Sequence, residues 1–470
     1  MAHIRRQHHR EYKEMLITLC ALSWPVILEQ IMQTAVIYVD SAMVGRISAE
    51  ASAAVGVTAT VTWMIGAPIF AAGVGVLACL SRALGAGEHE KTVRISVQSI
   101  LLTLVTGVVL GVLSVGLSPF IPRWLGADAA IQRDASLYFG IICLPMVFRS
   151  ANIIFSSVLR AAGDMRTPMR VNILVNVINV VLNFLLIYET RTVSLGALRL
   201  TLPGAGLGVT GAAVATAIAA SAGGILMTAA LWKNEAASPR GFRIALDRPI
   251  MRDCVRIAVP VALQRLTVSF GMVVFSALVT SLGTISIAAH SLALNAEEAF
   301  YLPGYGFQVA ASALAGFALG ERNERKLDLS SRASMLIAFV TMTISGGLLF
   351  LFPDVMMSVF SRDARVIEAG AAVLRLVALS EPLFGVAIIL EGVFNGVGDT
   401  KTPFWISVFC MWGIRIALTT LCIKVFHLGL TAVWLCMIAD NVVRCLMLGT
   451  RYVRGRWKRS LGLGEPHIAV

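Results

Sequence analysis

Charged residues are scarce in this chain. Asp, Glu, Lys and Arg together account for 14% of its 470 residues, whereas a soluble globular domain carries roughly one quarter. Hydrophobic residues account for 57%, and the mean hydropathy is +0.79. So little charge excludes an ordinary water-soluble domain. So much apolar sequence indicates a protein that crosses a membrane many times.

The sequence also lacks the signatures of several chemical sites. Its eight cysteines are scattered through apolar segments, without the paired spacing of a zinc site or a disulfide framework. The glycine-rich stretch at residues 204–208 does not match a phosphate-binding fingerprint, and we predict no strand before it. We find neither a P-loop nor a nucleophile beside a base. The sequence therefore predicts a protein that is not an enzyme, holds no cofactor and depends on an ion gradient for energy.

Twelve apolar stretches are long enough to cross the hydrocarbon core of a membrane, which takes about 20 helical residues. They are too long and too uniformly apolar for the alternating strands of a barrel, so we predict an all-α fold. The first six stretches cover approximately residues 15–44, 52–79, 95–118, 135–159, 171–188 and 206–232. The second six cover approximately residues 255–282, 287–319, 333–352, 370–396, 404–424 and 429–450.

A duplication relates the two sets. Residues 25–91 match residues 260–326 with one constant shift of 235, which places Pro25 on Pro260. The same shift places residues 160–168 on residues 395–403, so that two Gly-Asp-x-[Arg/Lys]-Thr-Pro motifs coincide. Duplicated membrane halves are typical of transporters that bind substrate between their repeats. Because each half has an even number of spans, we predict two parallel six-helix lobes related by a pseudo-two-fold axis along the membrane normal.

The net charge of +12 reflects sidedness rather than a nucleic-acid partner. Most Lys and Arg residues fall in alternate connections, and by the positive-inside rule both termini face the cytoplasm. We therefore predict a multi-pass protein of the bacterial plasma (inner) membrane. The predicted parts are a cytoplasmic N-terminal tail at 1–14, an N-terminal lobe at 15–232, a cytoplasmic linker at 233–254, a C-terminal lobe at 255–450 and a basic cytoplasmic tail at 451–470.

Ionisable residues inside spans are costly and mark functional sites. Asp40 lies in span one, and Gln33 and Glu29 lie seven and eleven residues before it. At about 100° per residue, all three lie on one helix face. In the second half, Gln264 takes the place of Glu29 and Phe275 that of Asp40. The acid is therefore not duplicated. The alternative role for Asp40 is to cap the outer end of its helix.

Span five carries four asparagines on one face, at Asn172, Asn176, Asn179 and Asn183. An amide oxygen can replace water around a cation, and an amide NH2 can donate to a carboxylate. Such amides also hold helices together inside membranes, which is the alternative role. Thr216 in span six can add a hydroxyl group. The pattern predicts a site for H+ or Na+ beside the aspartate of span one.

The order of Pro25, Gln33, Asp40 and Gly45, together with the duplicated motif and the twelve spans, resembles the multidrug and toxic compound extrusion (MATE) transporters. The resemblance covers essentially the whole chain and points to the bacterial NorM/DinF-like branch. It implies a secondary transporter that exports amphipathic, often cationic compounds in exchange for H+ or Na+. The cation-binding residues implied by the resemblance are Asp40, Asn179, Asn183 and Thr216. The resemblance also implies that Gln33 lines the adjacent substrate cavity. The polar stripes of spans one and five add Glu29 and Asn176 as further candidates for that cavity.

The chain departs from this family in its second half. Some members carry a second acidic site in spans seven and ten, where this chain has Val268 and about Phe384. We therefore expect coupling to depend on the N-terminal lobe. The secondary C-terminal candidates are Glu391, Glu297 and Gln264. For these acids we also consider structural ion pairs with the arginines of the same lobe, which are Arg375, Arg415 and Arg444.

The function predicted from the sequence is multidrug antiport by alternating access. Its expected partners are small amphipathic or cationic substrates, the coupling ion H+ or Na+, and membrane lipid, with no nucleic acid and no metal beyond Na+ at Asp40. The resemblance favours a monomer. The alternative is a flippase or exporter of lipid-linked precursors or other amphipathic metabolites. Three arginines within spans support this alternative, namely Arg149, Arg265 and Arg375. A membrane scaffold or receptor is disfavoured by the polar stripes in spans one and five.

Overall fold

The computed structural model describes residues 2–195 and 198–459, and helices make up most of them. Within these residues, ten helices are individually long and apolar enough to cross a membrane. Two further pairs of shorter helices, bent by 50° and 58°, each make one more span. The predicted fold class, an all-α membrane protein with twelve spans, is confirmed. The last part of the predicted C-terminal tail, residues 460–470, lies outside the described residues.

The described residues of the first half form eight helices. They are α1 (Ala2–Gly45), α2 (Ala49–Gly85), α3 (His89–Leu117), α4 (Ile121–Trp124), α5 (Ala129–Cys143), α6 (Met146–Ala161), α7 (Arg166–Ile187) and α8 (Gly208–Lys233). The second half contains α9 (Arg248–Thr280), α10 (Thr284–Gly320), α11 (Glu324–Leu351), α12 (Pro353–Phe360), α13 (Ala364–Ala378), α14 (Glu381–Val397), α15 (Lys401–Val408), a π-helical segment (Phe409–Ile416), α16 (Ala417–Lys424), α17 (Leu430–Arg454) and α18 (Arg456–Arg459).

The internal repeat is visible in the helix boundaries. Five helices of the second half, α10, α11, α13, α14 and α15, begin 235 residues after their counterparts α2, α3, α5, α6 and α7. Local chemistry explains some of these starts. Asp128 and Asp363, also 235 apart, cap α5 and α13 by accepting hydrogen bonds from backbone N–H groups. In both halves a proline lies at or next to the start of the second helix of the bent pair, Pro145 as the N-cap of α6 and Pro382 in the first turn of α14, where the missing N–H is tolerated.

A short hairpin interrupts the helices between α7 and α8. Strand β1 (Glu189–Leu195) pairs antiparallel with β2 (Leu198–Ala205). Gly204 is required there, because a Cβ atom would lie 2.2 Å from the carbonyl oxygen of Tyr188. The prediction that no strand precedes residues 204–208 is therefore wrong, since β2 runs into that stretch. The alternation of Thr, Val and Leu with Arg in this segment is a strand signal that the search for long apolar runs overlooks.

The chain divides into two compact units. One unit comprises the residues up to Ile27, Leu77–Glu88 and the residues from Arg256 onward, and the other comprises Leu28–Val76 and His89–Val255. The predicted lobe and linker boundaries stay a prediction. In the first unit, buried side chains of α10, α14 and α17 form one apolar core that includes Phe307, Phe394 and Leu448. In the second unit, a smaller core includes Val44, Ile187 and Ala212.

Two repeat-related glycines allow α2 and α10 to approach closely within the first unit. A Cβ at Gly85 would lie 2.0 Å from the carbonyl oxygen of Phe317, and a Cβ at Gly320 would lie 2.1 Å from that of Arg82. Gly85 and Gly320 are 235 residues apart, as are Arg82 and Phe317. The crossing is therefore symmetric. Without a side chain at either glycine, the backbones pack at the short distance that small residues permit in membrane helices.

Candidate functional site

The four predicted cation-binding residues form one hydrogen-bonded cluster on α1, α7 and α8. Asn183 Nδ2 donates to Asp40 Oδ1 at 2.6 Å and to Asn179 Oδ1 at 3.2 Å. Asn179 Nδ2 contacts Thr216 Oγ1 at 3.2 Å, and the threonine hydroxyl donates to Ala212 O at 2.9 Å. Helical periodicity places the two asparagines on one face of α7, and the packing of α7 against α1 and α8 brings them to the aspartate and the threonine.

The amide of Asn179 has a second orientation that suits a bare carboxylate better. When its oxygen and nitrogen exchange places, the NH2 group lies 3.0 and 3.1 Å from the two Asp40 oxygens, and the oxygen accepts from Thr216 at 3.2 Å. The orientation of such an amide follows from its hydrogen-bond partners. A charged Asp40 thus favours the orientation that donates, whereas a cation bound at Asp40 favours the one that presents the amide oxygen.

This cluster is largely shielded from solvent, because Asn183 is 1% exposed and Asn179 is 6% exposed. Asn183 Oδ1 is buried and has no hydrogen-bond partner among the described residues. The Asp40 carboxylate, Asn179 Oδ1 and the Thr216 hydroxyl make a set of oxygen donors within the cluster, which is the donor chemistry that hard cations prefer. The residues present therefore fit either a proton on Asp40 or a Na+ ion bound beside it.

Glu29, predicted as a cavity residue, is held in a separate internal cluster. The residue is 8% exposed, and its carboxylate accepts two hydrogen bonds from Arg160 Nη2, at 2.7 and 2.8 Å. It also accepts one from Asn172 Nδ2 at 2.8 Å, and Asn172 Oδ1 accepts from Asn152 Nδ2 at 2.8 Å. The cluster joins α1, α6 and α7. With its carboxylate paired in this way, Glu29 is engaged in holding helices together.

The other two predicted cavity residues are more accessible. Gln33 on α1 is exposed and Asn176 on α7 is half-buried. Neither makes a hydrogen bond to another of the described residues. The asparagine face of α7 is therefore divided, with Asn172 turned to the Glu29 cluster, Asn179 and Asn183 turned to Asp40, and Asn176 between them.

The second half contains a counterpart of the Glu29 cluster. Gln264 Nε2 donates to Glu391 Oε1 at 3.0 Å and to Ser407 Oγ at 2.9 Å. Gln264 and Ser407 are the positions that the shift of 235 assigns to Glu29 and Asn172. The same helix contact is thus made in both halves. The acid lies on the first span of one half and on α14 of the other.

In the second half, a positively charged side chain lies beside the residue that corresponds to Asp40. Phe275, the counterpart of Asp40, is fully buried, and the guanidinium of Arg415 lies 5.6 Å from the centre of its ring. Arg415 Nε is 2.7 Å from Asp440 Oδ2, and Arg444 Nη2 is 3.1 Å from Asp440 Oδ1. Arg415 lies in the π-helical segment, a local change of helical geometry that is frequent at functional sites.

Asp440 is the buried acid that the sequence analysis missed. It is 0% exposed, and an acid within an apolar span was the signal available. The ion pairs considered for Glu391 and Glu297 are made by other acids, since Arg415 and Arg444 pair with Asp440 and Arg375 pairs with Asp354.

Glu297 on α10 is 1% exposed and accepts a hydrogen bond from the hydroxyl of Tyr301. Glu381, at the start of α14, is equally buried and interacts electrostatically with it. His290, also 1% exposed, lies between the rings of Phe275 and Trp434. Among the described residues, no group of three or more His, Cys, Asp or Glu side chains could hold a metal ion.

Comparisons with known proteins agree with this architecture. The model of the MatE family matches residues 25–185 and again residues 260–421. The chain is 26% identical over 458 residues to a probable multidrug resistance protein NorM of Thermotoga maritima, covering 97% of this chain and 96% of that protein. It is 24% identical to the multidrug resistance protein MdtK of Yersinia pseudotuberculosis, covering 84% and 85%. A MOP superfamily transporter from Pyrococcus furiosus has a similar fold, with a TM-score of 0.85 at 23% identity, covering 96% of this chain and 97% of that one.

Proposed function

Because the chain belongs to the MatE family of membrane transporters, we propose that it exports amphipathic, often cationic compounds in exchange for H+ or Na+. The family consists of multidrug efflux transporters rather than enzymes, as the sequence predicts. The substrate, the coupling ion and the antiport mechanism are the proposed part. The observation that supports them is the cluster of Asp40 with Asn179, Asn183 and Thr216, a single carboxylate surrounded by neutral oxygen and NH2 groups inside membrane helices.

The chemistry of this cluster suits a cation that binds and leaves. In the cation-free state, the carboxylate of Asp40 is stabilised by the short hydrogen bond from Asn183. A proton on the carboxyl group, or Na+ beside it, neutralises the charge and weakens that bond. Rotation of the Asn179 amide then presents its oxygen in place of its NH2 group. The contact between α1 and α7 thus depends on whether a cation is bound.

Antiport requires that this difference favour one conformation. A ligand that binds both conformations equally cannot shift their populations, however tightly it binds. We propose that cation binding favours the conformation in which α1 and α7 have exchanged the Asp40–Asn183 bond for other contacts, and that substrate favours the other. Pro25 within α1 removes a backbone hydrogen bond and allows the helix to bend.

The proposed setting follows the sequence. We place the protein in the inner membrane of a bacterium, with both termini in the cytoplasm, because most basic residues fall in alternate connections. It acts as a monomer in contact with membrane lipid, and it binds no nucleic acid. The Glu29–Arg160 pair and the Gln264–Glu391 contact serve as helix contacts in this proposal, while Gln33 and Asn176 remain available to substrate.

The test is efflux of a fluorescent organic cation from proteoliposomes with imposed proton or sodium gradients. We expect one gradient to drive efflux by the wild type, and Asp40→Asn to abolish it. The matched control is Asp134→Asn, which changes an exposed aspartate of the same half and should transport normally. Normal transport by a folded Asp40→Asn protein would overturn the proposed coupling site.

One observation favours a second candidate function. Arg149 on α6 is partly buried, has no hydrogen-bond or ion-pair partner among the described residues, and lines a small cavity with Thr62 and Gly66. An unpaired arginine within a span can bind an anionic group. If the wild type moved no cation under either gradient but flipped a fluorescent anionic lipid, export of a lipid-linked precursor would become the better proposal.

A further inference from the structure

The connection between the two repeats forms a groove on the side of α3. We call it the linker groove, lined by Arg94, Val97 and Gln98 of α3, by residues 242–243 and by residues 245–249. Its volume is about 510 Å³. All of these residues belong to the same compact unit, and none is part of the Asp40 cluster.

Two hydrogen bonds fix the connection in place. Gln98 is 2% exposed; its Nε2 donates to Ala245 O at 2.9 Å, and its Oε1 accepts from the N–H of Asp247 at 3.1 Å. Gln98 lies nine residues after the start of α3, which is about 13 Å along a helix that rises 1.5 Å per residue. The connection therefore lies along the side of a membrane helix rather than beyond its end.

The ends of the span helices around the connection indicate that the groove lies near the surface of the membrane. The span helix α3 begins beside the groove, α8 ends at Lys233 before the connection, and α9 begins at Arg248 after it. Three apolar side chains of the connection are exposed, Phe242 by 41%, Ile244 by 57% and Leu246 by 58%. Exposed apolar side chains next to arginines, near the ends of membrane-spanning helices, are typical of protein segments that lie in the interface of a bilayer.

The groove also contains arginines that are not paired with other described residues. Arg243 and Arg248 are exposed, and neither has a hydrogen bond or ion pair with another described residue. The third arginine, Arg94, is already engaged, by Glu90 at 2.6 Å and by Asp247 at 3.6 Å. Asp247 Oδ1 accepts from the N–H of Ile250 at 3.3 Å, at the start of α9. Two guanidinium groups therefore remain for an anion, and a guanidinium fork matches the oxygens of a phosphate.

We propose that the linker groove binds the phosphate headgroup of an anionic glycerophospholipid, with Arg243 and Arg248 on the phosphate and Phe242, Ile244 and Leu246 among the acyl chains. The lipid source follows from the exposed apolar residues, since a free phosphate ion gains nothing from them. The inference is independent of the transported substrate and of the coupling ion.

The test is native mass spectrometry of the purified full-length protein in detergent, titrated with phosphatidylglycerol or phosphatidylcholine. We expect the wild type to prefer phosphatidylglycerol. A basic residue near an anionic lipid surface contributes roughly fivefold to binding, so Arg243→Ala/Arg248→Ala should weaken it about 25-fold. The variant Arg243→Lys/Arg248→Lys, which keeps the charge, should retain most of the binding. A thermal melt of each variant shows whether it is folded.

The matched control is Arg123→Ala/Arg362→Ala, which removes two exposed arginines from other connections. It should bind phosphatidylglycerol like the wild type. Three results would overturn the proposal: equal binding of both phospholipids by the wild type, equal loss in the control and the groove variant, or undiminished binding by the folded groove variant. Displacement of the lipid by inorganic phosphate at the same concentration would identify a free phosphate site and overturn the assignment to lipid.

Discussion

The ion pair between Glu29 and Arg160 offers a sharp test of whether a polar residue within a span holds the fold or binds substrate. Only 10% and 15% of the two side chains are exposed, and both Glu29 oxygens accept hydrogen bonds from Arg160. Removing one partner of a buried pair costs about 3–5 kcal/mol, because the other charge remains buried without compensation. We expect Glu29→Gln and Arg160→Met each to lower the free energy of unfolding by about 3 kcal/mol.

The second half of the chain suggests the compensating variant. There Gln264 takes the place of Glu29 and donates hydrogen bonds to Glu391 and Ser407, so a neutral amide is accommodated at this position. The double variant Glu29→Gln/Arg160→Met removes both charges and keeps an amide beside Asn172. We expect it to lose only about 1 kcal/mol, so a double-mutant cycle should give a coupling energy of several kcal/mol.

The assay is reversible unfolding in mixed micelles with increasing denaturing detergent, combined with efflux at a temperature where all variants are folded. The control is Glu14→Gln, which breaks an exposed pair with Arg10 and should cost less than about 0.5 kcal/mol. Additive losses in the cycle would refute the structural reasoning. A stable double variant that has lost efflux would show that Glu29 or Arg160 also binds substrate or takes part in coupling.

Three further predictions follow from individual contacts. Asn183→Ala removes the 2.6 Å hydrogen bond to the site aspartate and should abolish gradient-driven efflux. The control Asn176→Ala, on the same helix face, should reduce efflux at most severalfold. Equal efflux by the two variants would contradict the assignment of Asn183 to the cation site. Gly320→Ala should lower the free energy of unfolding, measured by detergent unfolding, by about 1–3 kcal/mol through overpacking. The control Gly56→Ala should be neutral or stabilising, because a Cβ there meets nothing within 4 Å. Arg415→Met should destabilise the protein by about 3 kcal/mol, because it removes one of the two arginines that pair with a buried aspartate. If that aspartate is neutralised in the same chain, a thermal melt should show that most of the lost stability returns.

The polar residues of the spans show which parts of the site could be predicted. The spacing of Asn179 and Asn183 places them on one face of α7, because a helix turns by about 100° per residue. It does not say which helix that face meets. Asn172 lies on the same face, yet the structure pairs it with Glu29 rather than Asp40. The choice depends on the height at which α1 packs against α7, which periodicity does not contain.

The sequence by itself determined the twelve spans and their arrangement in two repeats. A membrane core requires about 20 apolar residues per helix and satisfies backbone groups only inside helices, so composition reveals the spans directly. A constant shift of 235 also predicts where five helices of the second half begin, because similar sequences form similar local structures.

Only the tertiary structure decided which partner each buried charge takes. Arg160 and Glu29 are 131 residues apart, and Asn183 and Asp40 are 143 apart. Asp440 pairs with Arg415 and Arg444, which the sequence analysis considered as partners of other acids. Such contacts join helices that are distant in the chain. The free energy of pairing a buried charge depends on which groups lie within a few ångströms, and helix packing determines those distances.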